Sequence, residues 1–371
     1  MNIDAIDLYL AALPLKQPVE TGFGTIANLE TVLVRLRSGD AVGWGEASPG
    51  TSPRTGQWAA GSFAVLRDWF APALVGCSVD TGDAIAERLA PFAGNQYAKA
   101  ALDTAWWDLK SRLEGKPLHE LVQAKRDAVE LGISLDQTET IDELLDAMRA
   151  AFEKGFARIE LKMRPGWDIN MVNVVRQEFG TETLHVDVEG AMTLSNMETL
   201  CRLDDFMLAM VEQPLMPDDL VGHAMAQEAL RTPICLEESI VSTDHVEMAL
   251  DLKSCQFINL GIGRVGGLTS AVAIHDACHE QCVPCRVGVP LQSAIGTRHA
   301  LALAAKENCG YPADWFDPGE TFQFELADAP TLARIGDEGT LAAQLWSEPG
   351  IGIEPDAEQL DACCIDKKTF E

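Results

Sequence analysis

Three short apolar runs in the middle of the chain each end in an acid: His185-Val186-Asp187, Met210-Val211-Glu212 and Cys235-Leu236-Glu237. Each acid follows the one before it by 25 residues, about the length of one strand–helix unit. In a parallel barrel that register sets three carboxylates on neighbouring strands at one C-terminal rim, where the connecting loops build a site. A single strand-end acid often caps the next helix or faces water. Three in register converge, and converging oxygen ligands suit a hard divalent ion such as Mg²⁺, with Mn²⁺ as the alternative.

The same rhythm extends outward on both sides. Apolar runs at Val129–Leu135, Ala157–Met163, Phe257–Leu260, Val283–Gly288 and, most weakly, Ala313–Phe316 bring the count to eight. Amphipathic stretches such as Ile141–Lys154, Asp168–Phe179, Asp244–Leu252 and Leu268–Glu280 lie between them. Alternation of this kind predicts an α/β barrel rather than an open sheet. Residues 1–125 read differently, as an α+β unit. Strand-like Leu29–Leu36 turns at Ser38-Gly39-Asp40 into Ala41–Glu46, and helical patterns follow at Trp58–Phe70, Asp83–Leu89 and Tyr97–Leu113. The expected division is therefore 1–125, then a barrel over 126–318, then a segment 319–371 that packs back on the first unit. Within that last segment, Thr321–Leu326 alternates like a strand.

Charge narrows the function classes. The 371 residues hold 28 Lys and Arg against 57 Asp and Glu, a formal net charge of −29. A body so acidic is repelled by phosphate backbones and anionic membranes, which argues against nucleic acid and membrane partners. Met1–Lys16 lacks the pattern of a leader, and no stretch approaches the ~18 apolar residues of a membrane span. Ten scattered cysteines, Cys363 and Cys364 adjacent, read as reduced thiols of a cytoplasmic protein.

One strand earlier than the acids, Arg158-Ile159-Glu160-Leu161-Lys162 alternates so that Arg158, Glu160 and Lys162 share a face. A lysine on the inner rim beside a metal site is costly to desolvate, which marks Lys162 as a candidate catalytic residue. Two rival motifs are weaker. Gly261-x-Gly263-x-x-Gly266 follows a strand as a dinucleotide fingerprint does, but the acid due about 20 residues later, at the end of the next strand, is missing there. His275, Cys278, His279 and Cys282, with Cys285 beyond, resemble a zinc cluster, yet the first four have the spacing of a helix's buried stripe.

Further stretches carry a resemblance: Gly43-Trp44-Gly45-Glu46, Ala101-Leu102-Asp103-Thr104-Ala105-Trp106-Trp107-Asp108-Leu109, Arg164-Pro165-Gly166-Trp167-Asp168, Val211-Glu212-Gln213-Pro214-Leu215, Pro233–Ile240 and Gly263–Gly267. Over nearly its full length the chain resembles the enolase superfamily, muconate-lactonizing-enzyme subgroup, and most of all its o-succinylbenzoate synthase / N-acylamino acid racemase branch. The resemblance implies a modified TIM barrel, (β/α)₇β, under an α+β capping domain formed by the N-terminal region and the C-terminal tail. It implies Mg²⁺ on Asp187, Glu212 and Glu237, Lys162 as base, and α-proton abstraction from a small-molecule carboxylate. It also implies a homo-oligomer, and makes Pro14–Thr25 and Ser48–Thr55 the capping loops that shape specificity.

The chain departs from the pattern that the resemblance implies. Glu160 stands where the first lysine of Lys-x-Lys is expected, Glu189 where an asparagine is, and Gln292 where an acid is. Gly261 replaces a second lysine, and the third ligand is Glu237 rather than Asp. Together these turn an expected net positive site into a net negative one, which opposes an enediolate. Glu160 beside Lys162 also raises the cost of a neutral lysine. Racemisation needs partners on both faces of the α-carbon, and Gly261 removes one of them. A one-lysine dehydration like that of o-succinylbenzoate synthase is favoured over a racemase. The other reading is a divergent or non-catalytic metal-binding relative, in which His185 or Glu189 would be an alternative base.

Overall fold

The apolar runs pair in the order the chain supplies them. In the computed structural model, which describes residues 1–21, 24–53, 56–136, 138–164 and 166–371, seven strands pair in parallel with their sequence neighbours. They are β4 (Ala128–Leu135), β5 (Arg158–Lys162), β6 (Leu184–Asp187), β7 (Val211–Glu212), β8 (Ile234–Leu236), β9 (Phe257–Asn259) and β10 (Cys285–Arg286). An eighth, β11 (Ala313–Asp314), pairs in parallel with β4. It reaches β10's side through Asp314 N donating to Val287 O at 3.5 Å, so the sheet curls back on itself. The helices between these strands have matching stops and starts. Thr140 and Glu143 form a capping box on Ile141–Lys154, which ends at Gly155 in the left-handed region, and Asp219, Ser242 and Ser293 cap later helices.

Ahead of the barrel, β1 (Ala5–Thr21), β2 (Gly24–Ser38) and β3 (Ala41–Ala47) form an antiparallel sheet with its own apolar core, covered by the helix Gln96–Glu114. Gly43 and Gly45 let β3 lie against that helix, because a Cβ at either position would strike helix backbone. The fold is thus a capping unit with an antiparallel sheet beside an α/β barrel, the modified TIM barrel expected. The last segment divides between the two. A hairpin of β12 (Leu332–Ile335) and β13 (Thr340–Gln344) runs antiparallel to β4, and β14 (Cys364–Phe370) joins β1 in the cap sheet. Thr321–Leu326 forms no strand.

Two buried acids tie cap to barrel. Glu46 of β3 accepts from Ser293 N (3.1 Å), Ser293 Oγ (2.5 Å) and Gly296 N (2.9 Å), at the start of the helix Ala294–Ala304. Asp103 accepts from Thr269 N (3.0 Å) and from the Thr269 hydroxyl, near the start of Leu268–Glu280. Carboxylates at helix N-termini meet both unpaired N–H groups and a favourable dipole. Among the described residues no helix is long and apolar enough to cross a membrane.

Candidate active site

The parallel register places Lys162 opposite Asp187 and Asp187 opposite Glu212. Glu237 follows β8 by one residue, its backbone N–H donating to Gln213 Oε1 at 3.0 Å. Side-chain oxygens of Asp187, Glu212 and Glu237 come within 4.8 Å of one another, the convergence that the 25-residue spacing predicts. Burial raises all three acids, and what surrounds each decides the outcome. Glu237 is pushed up to about 8 by burial and by Glu238. Asp187 rises well above the carboxylate range through burial, with Glu212 and Glu160 adding to it against Lys162. Glu212 instead falls to about 2, because Arg286 and His185 outweigh its burial. Buried Glu212 Oε2 receives no hydrogen bond. Crowded, desolvated carboxylates whose oxygens converge are a donor set that fits a hard divalent cation.

Lys162 is the hub of the charges. Its Nζ lies 2.6 Å from Asp187 Oδ2, 3.0 Å from Glu160 Oε1 and 3.3 Å from Glu189 Oε1. Burial would lower this ammonium, but the three carboxylates outweigh burial and hold it well above the usual lysine range. Glu160 is itself held well below the carboxylate range: burial would raise it, and Lys162, Arg286 and His185 overcome that. The direction expected from Glu160 beside Lys162 is therefore the one found.

Charge counting along the sequence missed the arginines. Arg286 on β10 is buried, with Nη2 3.1 Å from Glu160 Oε2 and 3.2 Å from Glu212 Oε2, and Nη1 3.3 Å from Asp314 Oδ1. Arg158 pairs with Asp314 and stands 3.6 Å from Glu160. At the opposite side Arg264 Nη2 donates to Glu237 Oε1 at 3.1 Å. These cations come from strand two, strand seven and the short helix Ile262–Val265 after strand six, and they balance much of the acid. Beneath the rim, His185 Nε2 sits 3.1 Å from Glu160 Oε2, its Nδ1 3.0 Å from the Tyr311 hydroxyl. Asn259 donates to Glu212 Oε1 at 2.6 Å. His185, Glu160 and Glu212 form a second group close enough to hold a metal, but Arg286 already lies between its two acids.

Above these groups opens a cleft of about 220 Å³, smaller than the roughly 300–1,000 Å³ usual for ligand pockets. Gly261 lines it, with room around it: the atoms nearest to a Cβ there would be Arg264 Cβ at 3.4 Å, Arg264 Nε at 3.8 Å and Glu237 Oε1 at 3.9 Å. Gln292 lines a neighbouring cavity at the cap–barrel seam instead, with Glu46 and Gly296. Of the capping segments, Pro14–Thr21 and Thr25 belong to the β1–β2 hairpin rather than to a loop, while positions 22, 23, 54 and 55 lie outside the described residues, as does Pro165 of the 164–168 motif. The His–Cys set forms no metal-holding group among the described residues; His275 Nδ1 bonds Asp276 Oδ1 at 2.7 Å, and Cys278 and Cys285 are buried.

Comparison with known proteins agrees with this geometry. Residues 5–122 match the mandelate racemase / muconate lactonizing enzyme N-terminal domain, and residues 143–360 match the enolase C-terminal domain-like family. The chain belongs to the enolase superfamily. An o-succinylbenzoate synthase of Geobacillus kaustophilus is 36% identical over 97% of this chain and 96% of its own. An N-succinylamino acid racemase of Amycolatopsis sp is 34% identical, covering 97% of each chain. Among solved structures, an enolase-superfamily member from Enterococcus faecalis V583 superposes with a TM-score of 0.92 at 31% identity, over 100% of this chain and 99% of the other. This superfamily member therefore has relatives named for two reactions.

Proposed function

We propose that the chain is a Mg²⁺-dependent enzyme that abstracts an α-proton from a small-molecule carboxylate, and that it performs an o-succinylbenzoate synthase-like dehydration rather than a racemisation. The observation that carries this reading is the single lysine: Lys162 stands beside the converging acids, and Gly261 offers no second one. Asp187, Glu212 and Glu237 would hold the ion. Bound there, it would neutralise the substrate carboxylate and the charge that develops as the α-proton leaves. From its neutral amine form, which the surrounding carboxylates disfavour, Lys162 Nζ takes that proton and becomes ammonium. On the same face it returns the proton to the departing hydroxyl, which leaves as water, so one base completes a syn elimination. Glu160 and Asp187 orient the lysine, and Arg286 keeps Glu160 ionised from below. The acidic, thiol-rich composition and the superfamily support a homo-oligomer in the cytoplasm.

A second reading has its own support. Three carboxylates grip the Lys162 ammonium, which favours a relative that binds metal with its chemistry lost or repurposed. The two readings separate when Mg²⁺-loaded protein is given the cyclohexadiene precursor of o-succinylbenzoate. Product that appears with wild type and vanishes in Lys162→Ala supports the dehydratase. No product, with metal bound and the fold intact, supports the second reading.

A further inference from the structure

Tyr97 is the cap's own contribution to the cleft. It lies in the first turn of Gln96–Glu114, where Gln57 Oε1 accepts from its backbone N–H at 3.0 Å. Its ring lies on Gly263: a Cβ at that glycine would stand 2.5 Å from two ring carbons. The side chain lines the same cleft as Lys162 and Gly261, and the residue is 7% exposed. Packing on Gly263 accounts for the ring, and a phenylalanine would serve that end equally. The hydroxyl is different. Among the described residues it makes no hydrogen bond, and its oxygen is not fully shut off from the cleft that the residue lines.

A buried donor without an acceptor lines the same cleft. Arg264 gives Nη2 to Glu237, but its buried Nε has no acceptor, and that Nε is 3.8 Å from the point where a Gly261 Cβ would be. A hydroxyl without a protein partner and a buried, unpaired N–H on a cation thus line one cleft with Gly261. Burying the Arg264 N–H without an acceptor is unfavourable, and a bound acceptor removes that cost.

We propose that this space is a subsite for an oxygen acceptor of the substrate, a carboxylate or carbonyl oxygen, with Tyr97 donating its hydroxyl hydrogen bond and Arg264 supplying the positive charge. The proposal rests on the carboxylate-substrate reading above and adds to it a substrate contact from the capping unit. The side of the cleft that lost a lysine becomes a binding surface, so the substrate carries an acceptor there in addition to the carboxylate whose α-proton Lys162 takes.

The chain has only three tyrosines, Tyr9, Tyr97 and Tyr311, which makes the test spectroscopic. Mg²⁺-loaded protein carrying ring-¹³Cζ tyrosine is titrated with o-succinylbenzoate, its three resonances assigned through Tyr9→Phe and Tyr311→Phe. The expected result is a shift of the Tyr97 resonance on binding, with affinity weakened roughly tenfold or more in Tyr97→Phe. Binding with no shift of that resonance and an unchanged affinity in Tyr97→Phe overturns the subsite and leaves the dehydratase reading standing. Failure of wild type to bind o-succinylbenzoate overturns that reading and the subsite with it. Should Tyr97→Phe fail to fold, the resonance in the wild-type protein decides alone.

Discussion

Arg286 is the residue on which the interior of the barrel depends most. Its guanidinium faces Glu160, Glu212 and Asp314 with almost no water to share the charge. Removing one partner from a buried ion network strands the others and typically costs about 3–5 kcal/mol. Arg286→Met is therefore expected to lose about that much in a urea unfolding curve, and Glu160→Gln in the same background to recover part of it. A loss under about 1 kcal/mol would show the acids to be satisfied without it. The convergence of Asp187, Glu212 and Glu237 beside Lys162 was legible because strand-end position and period are written in the sequence. Arg286 was not, since β10 is two residues long and its partners come from strands two, four and eight. A signal was available: Arg158 and Glu160 on an inward face demand buried counter-charges, and Cys285-Arg286-Val287-Gly288 sets one arginine among small apolar neighbours.

At the scale of elements, barrel strands were read more surely than the tail. Each barrel run is apolar and followed by an amphipathic helix, two signals that agree. The hairpin of Leu332–Ile335 and Thr340–Gln344 offers neither: its residues are alanine-rich, and it is a strand pair because the edge of β4 receives it. Thr321–Leu326 alternates for another reason, the burial of Phe322 and Leu326 in an irregular segment. The cap–barrel joint makes a separate prediction. Burial pushes Asp103 up to about 7, against the hydrogen bonds from Thr269. Ionising it therefore costs stability, in full above about pH 7, and the cost is relieved as pH falls from 7 toward the unfolded value of 3.8. Relative to Asp103→Asn, which lacks this titration, wild type should gain on the order of 4 kcal/mol between pH 7.5 and 4. Paired unfolding curves across that range check it, and parallel pH profiles for the two proteins would contradict it.

Across the whole molecule, the charge of −29 divides into two populations. Acids of the barrel interior are met by Arg158, Lys162, Arg264 and Arg286, whereas most of the excess lies on exposed helices and loops. Like charges on a surface repel over a distance that salt shortens from about 10 Å at 0.1 M to about 3 Å at 1 M. The melting temperature should rise by several degrees from 0.1 to 1 M KCl; a fall would mean that exposed ion pairs outweigh repulsion. The same division bears on chemistry, for the site holds enough cations to fix Glu160 in place and only one lysine to move a proton. The most direct measurement of that claim is α-proton exchange in D₂O, with Mg²⁺-loaded protein and each enantiomer of an N-succinyl amino acid. A one-lysine site predicts deuterium in one enantiomer only, configuration retained, and none with Lys162→Ala. Exchange of both enantiomers with racemisation, or exchange that survives Lys162→Ala, would contradict it.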